Sequence, residues 1–181
     1  MLVLSVDEVI SDVCRRRKFY DPERYGANIK VLFIGESPPQ RFPKNFFYEA
    51  RGILFNAIYG ASKDMCGNIS KKDFLEFFAK ACFYLIDMFD KPCVKLKIRA
   101  GEKCEKASNI EVRKAKENIR KIILERKPSL IIIILRRVCK ELREMLDSIG
   151  IRYKCLRFPI GKYYYEFINE LKRILEKMQI F

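Results

Sequence analysis

The chain has 181 residues, with 37 Lys and Arg against 23 Asp and Glu, a formal net charge of +14, and 49% hydrophobic residues. That length suits one domain with a sizeable core, and it excludes a charged, core-poor disordered chain. The complete absence of His excludes His-based acid–base catalysis, His-ligated metal sites and the zinc deaminases whose motif needs His.

The opening MLVLSVDEVI has no basic segment and meets Asp7 early, so no secretory signal is expected. Val6 to Tyr20 reads as a helix with Val6, Val9, Ile10 and Val13 on one face. Val31 to Ile34 is an unbroken apolar run ending in Gly35, the pattern of a buried parallel strand. A proline-rich loop follows. Phe47 to Tyr59 has apolar residues at helical spacing, with Gly60 as its expected stop, and Phe74 to Lys80 is a second short helical pattern. Phe83 to Ile86 is the next strand, followed by Asp87. Lys91 to Lys106 shows no period and reads as a basic loop. Ser108 and Glu111 have capping-box spacing and open a helix to about Arg126, which Pro128 ends. Leu130 to Leu135 is a third strand, Arg137 to Ile149 a helix stopped by Gly150, Ile151 to Leu156 a fourth strand, and Tyr163 to Met178 the last helix.

Strands alternating with helices predict a three-layer α/β/α sandwich with a central four-stranded, mostly parallel sheet, one domain over residues 1–181. Ligands of such sheets bind beyond the carboxyl ends of the strands. Here those ends carry Gly35-Glu36-Ser37-Pro38-Pro39, Asp87, Arg136-Arg137, and Arg157 with Phe158-Pro159-Ile160-Gly161-Lys162. One rim therefore holds two carboxylates ringed by cations, which packing alone does not require.

The charge is uneven. Residues 1–90 hold 13 Lys and Arg against 12 Asp and Glu, and residues 91–181 hold 24 against 11. Such asymmetry fits a polyanionic partner, most simply nucleic acid; a lysine-rich solvated surface of a thermophile is the plain alternative. None of the seven cysteines is spaced C-x2-C, so no metal or cofactor is expected. Buried free thiols are the first expectation, with disulfides an open alternative. No apolar run nears the roughly 20 residues of a membrane span, so a cytoplasmic monomer without a membrane partner is expected.

Taken in order, VLFIGESPP, FFYEARGILFNAIYG, FYLIDMFDKP, KPSLIIIIL and LRFPIGKYYYEFINEL resemble the successive segments of the uracil-DNA glycosylase superfamily over roughly residues 25–178. The first is closest to the Gly-Glu-x-Pro type. Phe158-Pro159-Ile160 stands where the family usually has His-Pro-Ser, and Asp87 where it often has Asn. The resemblance implies a DNA partner and hydrolysis of the N-glycosidic bond of a flipped damaged base.

On that basis Glu36 is the candidate to orient water beside the sugar, and Asp87 to read the base edge. An ionised Asp only accepts, so an amine-bearing base such as cytosine or adenine is expected over uracil; a protonated Asp87 would reverse that preference, and burial raises a carboxyl's pKa. Gly35, Ser37 and Pro38 shape the base pocket, and Phe47 or Tyr48 would stack on the base. Arg136, Arg137, Arg157, Pro159, Gly161 and Lys162 would contact the nucleic acid. Two alternatives stay open: a non-catalytic nucleic-acid-binding protein of the same fold, and a small α/β enzyme acting on a nucleotide. The latter lacks a phosphate-binding glycine fingerprint.

Overall fold

The computed structural model describes residues 5–178 apart from 68 and 99. In chain order the elements are α1 (Val6–Phe19), β1 (Val31–Gly35), α2 (Gly52–Cys66), α3 (Lys71–Lys80), β2 (Phe83–Asp87), β3 (Val94–Lys95), β4 (Glu105–Lys106), α4 (Asn109–Arg126), β5 (Leu130–Ile134), α5 (Arg136–Ile149), β6 (Tyr153–Leu156) and α6 (Tyr163–Lys177). Four strands form one parallel sheet in the order β2-β1-β5-β6. Helices cover both faces, so the fold is a three-layer α/β/α sandwich as the alternation predicts.

The two central strands, β1 and β5, are buried along their whole length. Buried on both faces, they need no polar alternation, which is why they read as plain apolar runs. Side chains alternate across the sheet. Val31 and Phe33 enter a slab rich in Phe, shared with α2, α3 and α6. Leu32 and Ile34 enter an aliphatic slab built on α4 and α5.

The capping box at Ser108 and Glu111 opens α4 as expected, and Gly150 closes α5 in the left-handed conformation. Three expectations are corrected. Phe47 does not begin a long helix: Phe47–Glu49 is a single 3-10 turn, left-handed Ala50 breaks it, and α2 starts at Gly52. Gly60 does not stop α2. It lies inside the helix, where a Cβ would meet Ile168 of α6 at 3.5 Å, an ordinary contact. The basic loop contains the two-residue parallel pair β3 and β4, strands too short to show a period.

The free-thiol expectation also gives way. Cys93–Cys104 and Cys139–Cys155 are disulfides. The three free cysteines, Cys14, Cys66 and Cys82, are exposed or half-buried. Cys139–Cys155 ties α5 to β6 across a separation of 16 residues, and closing a loop of that size contributes about 3 kcal/mol. Replacing both cysteines by Ala should lower the unfolding free energy by about that amount, read by denaturant titration. Among the described residues no helix is long and apolar enough to cross a membrane.

Candidate functional site

Because the four strands run parallel, their carboxyl ends open onto one edge. The chain passes from β1 outward to β2, then returns to place β5 on the other side of β1. The switch point therefore lies between β1 and β5, where crossovers diverge and leave a crevice. A hollow of about 370 Å³ sits there. Gly35, Glu36, Ser37 and Pro38 of the turn after β1 line it, with Leu135 and Arg137 after β5 and Asp87 at the end of β2. A second cavity of about 320 Å³ adjoins it through Ser37, Pro38, Leu54, Asp87 and Phe158. Its walls are largely apolar and include Phe47. Leu135 has a φ of 147°, a strained backbone for a branched side chain of the kind that concentrates at functional sites.

Glu36 and Arg137 face each other across the switch point. Arg137 donates from Nε to Glu36 Oε1 at 2.6 Å and from Nη2 to Oε2. The backbone N–H of Leu96 also donates to Oε1, at 3.1 Å. Glu36 is thus a pinned carboxylate with three of about four acceptor positions filled. Arg137 reaches on to the carbonyl of Lys97, so this pair also anchors the segment that roofs the hollow.

Asp87 is held from the opposite side. Arg17 of α1 donates from Nη2 to Asp87 Oδ2 at 2.6 Å, with the two side chains only 6% and 8% exposed. Arg17 also pairs with the more exposed Asp90. Burial is the largest influence on Asp87 and pushes its carboxyl above the ordinary value; Arg17 pulls back, while Asp90 and Glu36 add to the push. Burial opposes the charge on Arg17 as well, but Asp87 and Asp90 hold it firmly protonated. Among the described residues nothing donates to Asp87 Oδ1. That oxygen lies over Gly35, where any Cβ would collide with it. Gly35 is glycine for this reason, and not to bend the turn.

The remaining candidates divide. Ser37 and Pro38 line both cavities, and the Pro38 carbonyl accepts from Cys93 N–H. Phe47 lines the second cavity but is almost fully buried. Tyr48 lines neither. It is buried, and its hydroxyl donates to the Leu85 carbonyl and accepts from Leu85 N–H, both at 2.9 Å. It therefore seals the outer edge of β2, a structural task that rests on tertiary pairing. Arg136 is exposed and lines neither cavity.

Beyond β6, Phe158 and Ile160 reach the hollow, with Ile160 61% exposed. Arg157 stacks over Tyr163 at 4.5 Å, and Lys162 lies 5.5 Å from the same ring. Pro159 is buried and Gly161 is left-handed. Of the basic loop, Lys95 lines the hollow and pairs with Glu102, Lys91 pairs with Glu105, and Arg99 lies outside the described residues.

Two features went unread in the sequence. Arg17 sits four residues after Val13, on the apolar stripe of α1, and that spacing was the available signal of burial. The Cys93–Cys104 disulfide, in the wall of the hollow, left no signal, because pairing is decided by tertiary structure. Compared with known proteins, the chain matches no family model and no curated relative.

Proposed function

We propose that this protein binds DNA, takes a flipped base into the hollow beyond β1 and β5, and hydrolyses its N-glycosidic bond. The observation that carries the reading is Asp87: a buried carboxylate with one oxygen fixed by Arg17 and the other without a protein donor among the described residues, in the lining of a largely apolar cavity. A flat base needs such walls for stacking and an edge reader below them. In its ionised form, paired with Arg17, Asp87 accepts and does not donate, so it pairs with an exocyclic amine and repels a carbonyl oxygen.

In the reaction, water forms the new bond to the sugar carbon. The carbon–nitrogen bond breaks with its electron pair leaving on the base. Water's surplus proton passes to solvent, and the departing base takes one back. Glu36 has one acceptor position left to orient that water, and its charge opposes the positive charge that develops on the sugar. Arg157 and Lys162, which flank Phe158 and Ile160 in the chain, would meet phosphates.

The pinning of Glu36 by Arg137 favours a second reading, a binding protein of the same architecture without turnover. Incubation with oligonucleotides carrying uracil, hypoxanthine, deaminated guanine, or mispaired adenine or cytosine, scored for abasic sites, separates them. Base release from an amine-bearing substrate is expected. Binding without abasic sites would establish the second reading, and strong, selective uracil release would refute the assignment of Asp87.

A further inference from the structure

Most of the excess positive charge of residues 91–181 lies outside the lining of the hollow. Of the cations that line it, Arg137 is paired with Glu36 and Lys95 with Glu102. A surface groove of about 570 Å³ lies alongside, between α4 and α5. Arg113, Lys116 and Arg120 of α4 line it, at spacings of three and four that place them on one helix face. Lys106 of β4 lines it too. Among the described residues Lys106, Arg113 and Arg120 have no carboxylate partner, and only Lys116 is paired, with Glu141 at 3.3 Å. Glu117 is the opposing charge on the same wall.

Groove and hollow share one divide. The Leu96 side chain lines the groove, while its N–H is bonded to Glu36 in the hollow. Lys97, next along, is exposed, and its carbonyl is held by Arg137. A chain of phosphates lying in the groove would thus cross this divide to reach the hollow.

We infer that the groove between α4 and α5 is the track for the DNA phosphate backbone, with Lys106, Arg113 and Arg120 as its contacts. The inference rests on the proposed DNA partner, and not on turnover. It commits to a polyanion because three cations without carboxylate partners line one open groove, and the rest of its lining, with Ala107, Val112 and Met145, is largely apolar and offers little to a compact polar ligand. Each phosphate contact releases counterions, so each steepens the loss of affinity with salt.

The test is binding of an undamaged fluorescent duplex, measured by anisotropy between about 50 and 200 mM salt. Relative to wild type, Arg113→Ser/Arg120→Ser should flatten the slope of log affinity against log salt by about 1.8, roughly 0.9 for each lost contact. Glu117→Gln should tighten binding. Lys140→Ser/Arg143→Ser, the same charge loss on the outer face of α5, should leave the slope unchanged.

An equal effect of that pair would show that net charge alone matters and would overturn the track, as would a wild type without salt-dependent binding. Abasic-site formation is scored separately. Base release by wild type with no change in slope in the groove variants would remove the track and leave the proposed reaction. The expected slopes without base release would keep the track and remove turnover.

Discussion

Arg17→Met is expected to lower the unfolding free energy by about 3–5 kcal/mol, the cost of leaving one member of a buried ion pair alone. Asp87 would then be a buried carboxylate without its cation, still facing Asp90 and Glu36. The companion Arg17→Met/Asp87→Asn removes both charges and should recover most of the loss, because two neutral groups carry no desolvation penalty of that size. If the single variant unfolds during preparation, recovery in the double variant still decides the point.

The pH dependence has a definite sign. A carboxyl raised above its unfolded value binds its proton more readily in the folded state. Its burden on stability is therefore full above the folded pKa and is relieved as pH falls through it. Without Arg17, Asp87 rises further, so the deficit of the single variant should be largest at mildly alkaline pH and shrink on acidification. Denaturant titrations at several pH values read this directly. A deficit that grows toward acid would contradict the burial of a lone carboxylate.

Asp87→Asn should invert base preference. Arg17 decides which way the new amide turns: it donates, so the amide oxygen must take the Oδ2 position. The NH2 group then occupies the place of Oδ1, over Gly35 and facing the hollow. An acceptor becomes a donor at one fixed point. An amine-bearing base loses a hydrogen bond to a charged group, and a carbonyl-bearing base such as uracil gains a partner. With about 1.5–3 kcal/mol at stake on each side, the ratio of the two should swing by roughly 10²–10⁴. Competition binding of the two oligonucleotides, together with the abasic-site assay, measures the ratio. An unchanged ratio would mean that Asp87 does not meet the base edge.

What could be read from residues alone follows from which structures are local. Val31–Ile34 and Leu130–Ile134 announce themselves because a strand covered on both faces needs apolar residues throughout. Once those strands are parallel, the residues just after each must share an edge, and so Glu36, Asp87 and Arg137 could be placed together before any coordinates. The sequence could not show how they pair. The Glu36–Arg137 bond spans about a hundred residues, and the partner of Asp87 comes from the first helix. Arg17 is masked by its neighbours Arg15 and Arg16, which make a run of three that looks solvated. Tyr48 was an aromatic at a helical spacing, and nothing local distinguishes a stacking platform from a plug for a strand edge. Gly60 carried a stop signal by composition, yet it sits in mid-helix facing α6.

The Cys93–Cys104 bond sits in the wall of the hollow, immediately before the two short strands that shape its roof. Cys139–Cys155 lies instead where α5 meets β6. A thiol reagent in the buffer thus acts on the cavity's lining and on the scaffold at once. Preparations made with and without such a reagent are chemically different samples, and activity and stability are comparable between laboratories only when the oxidation state of both bridges is matched.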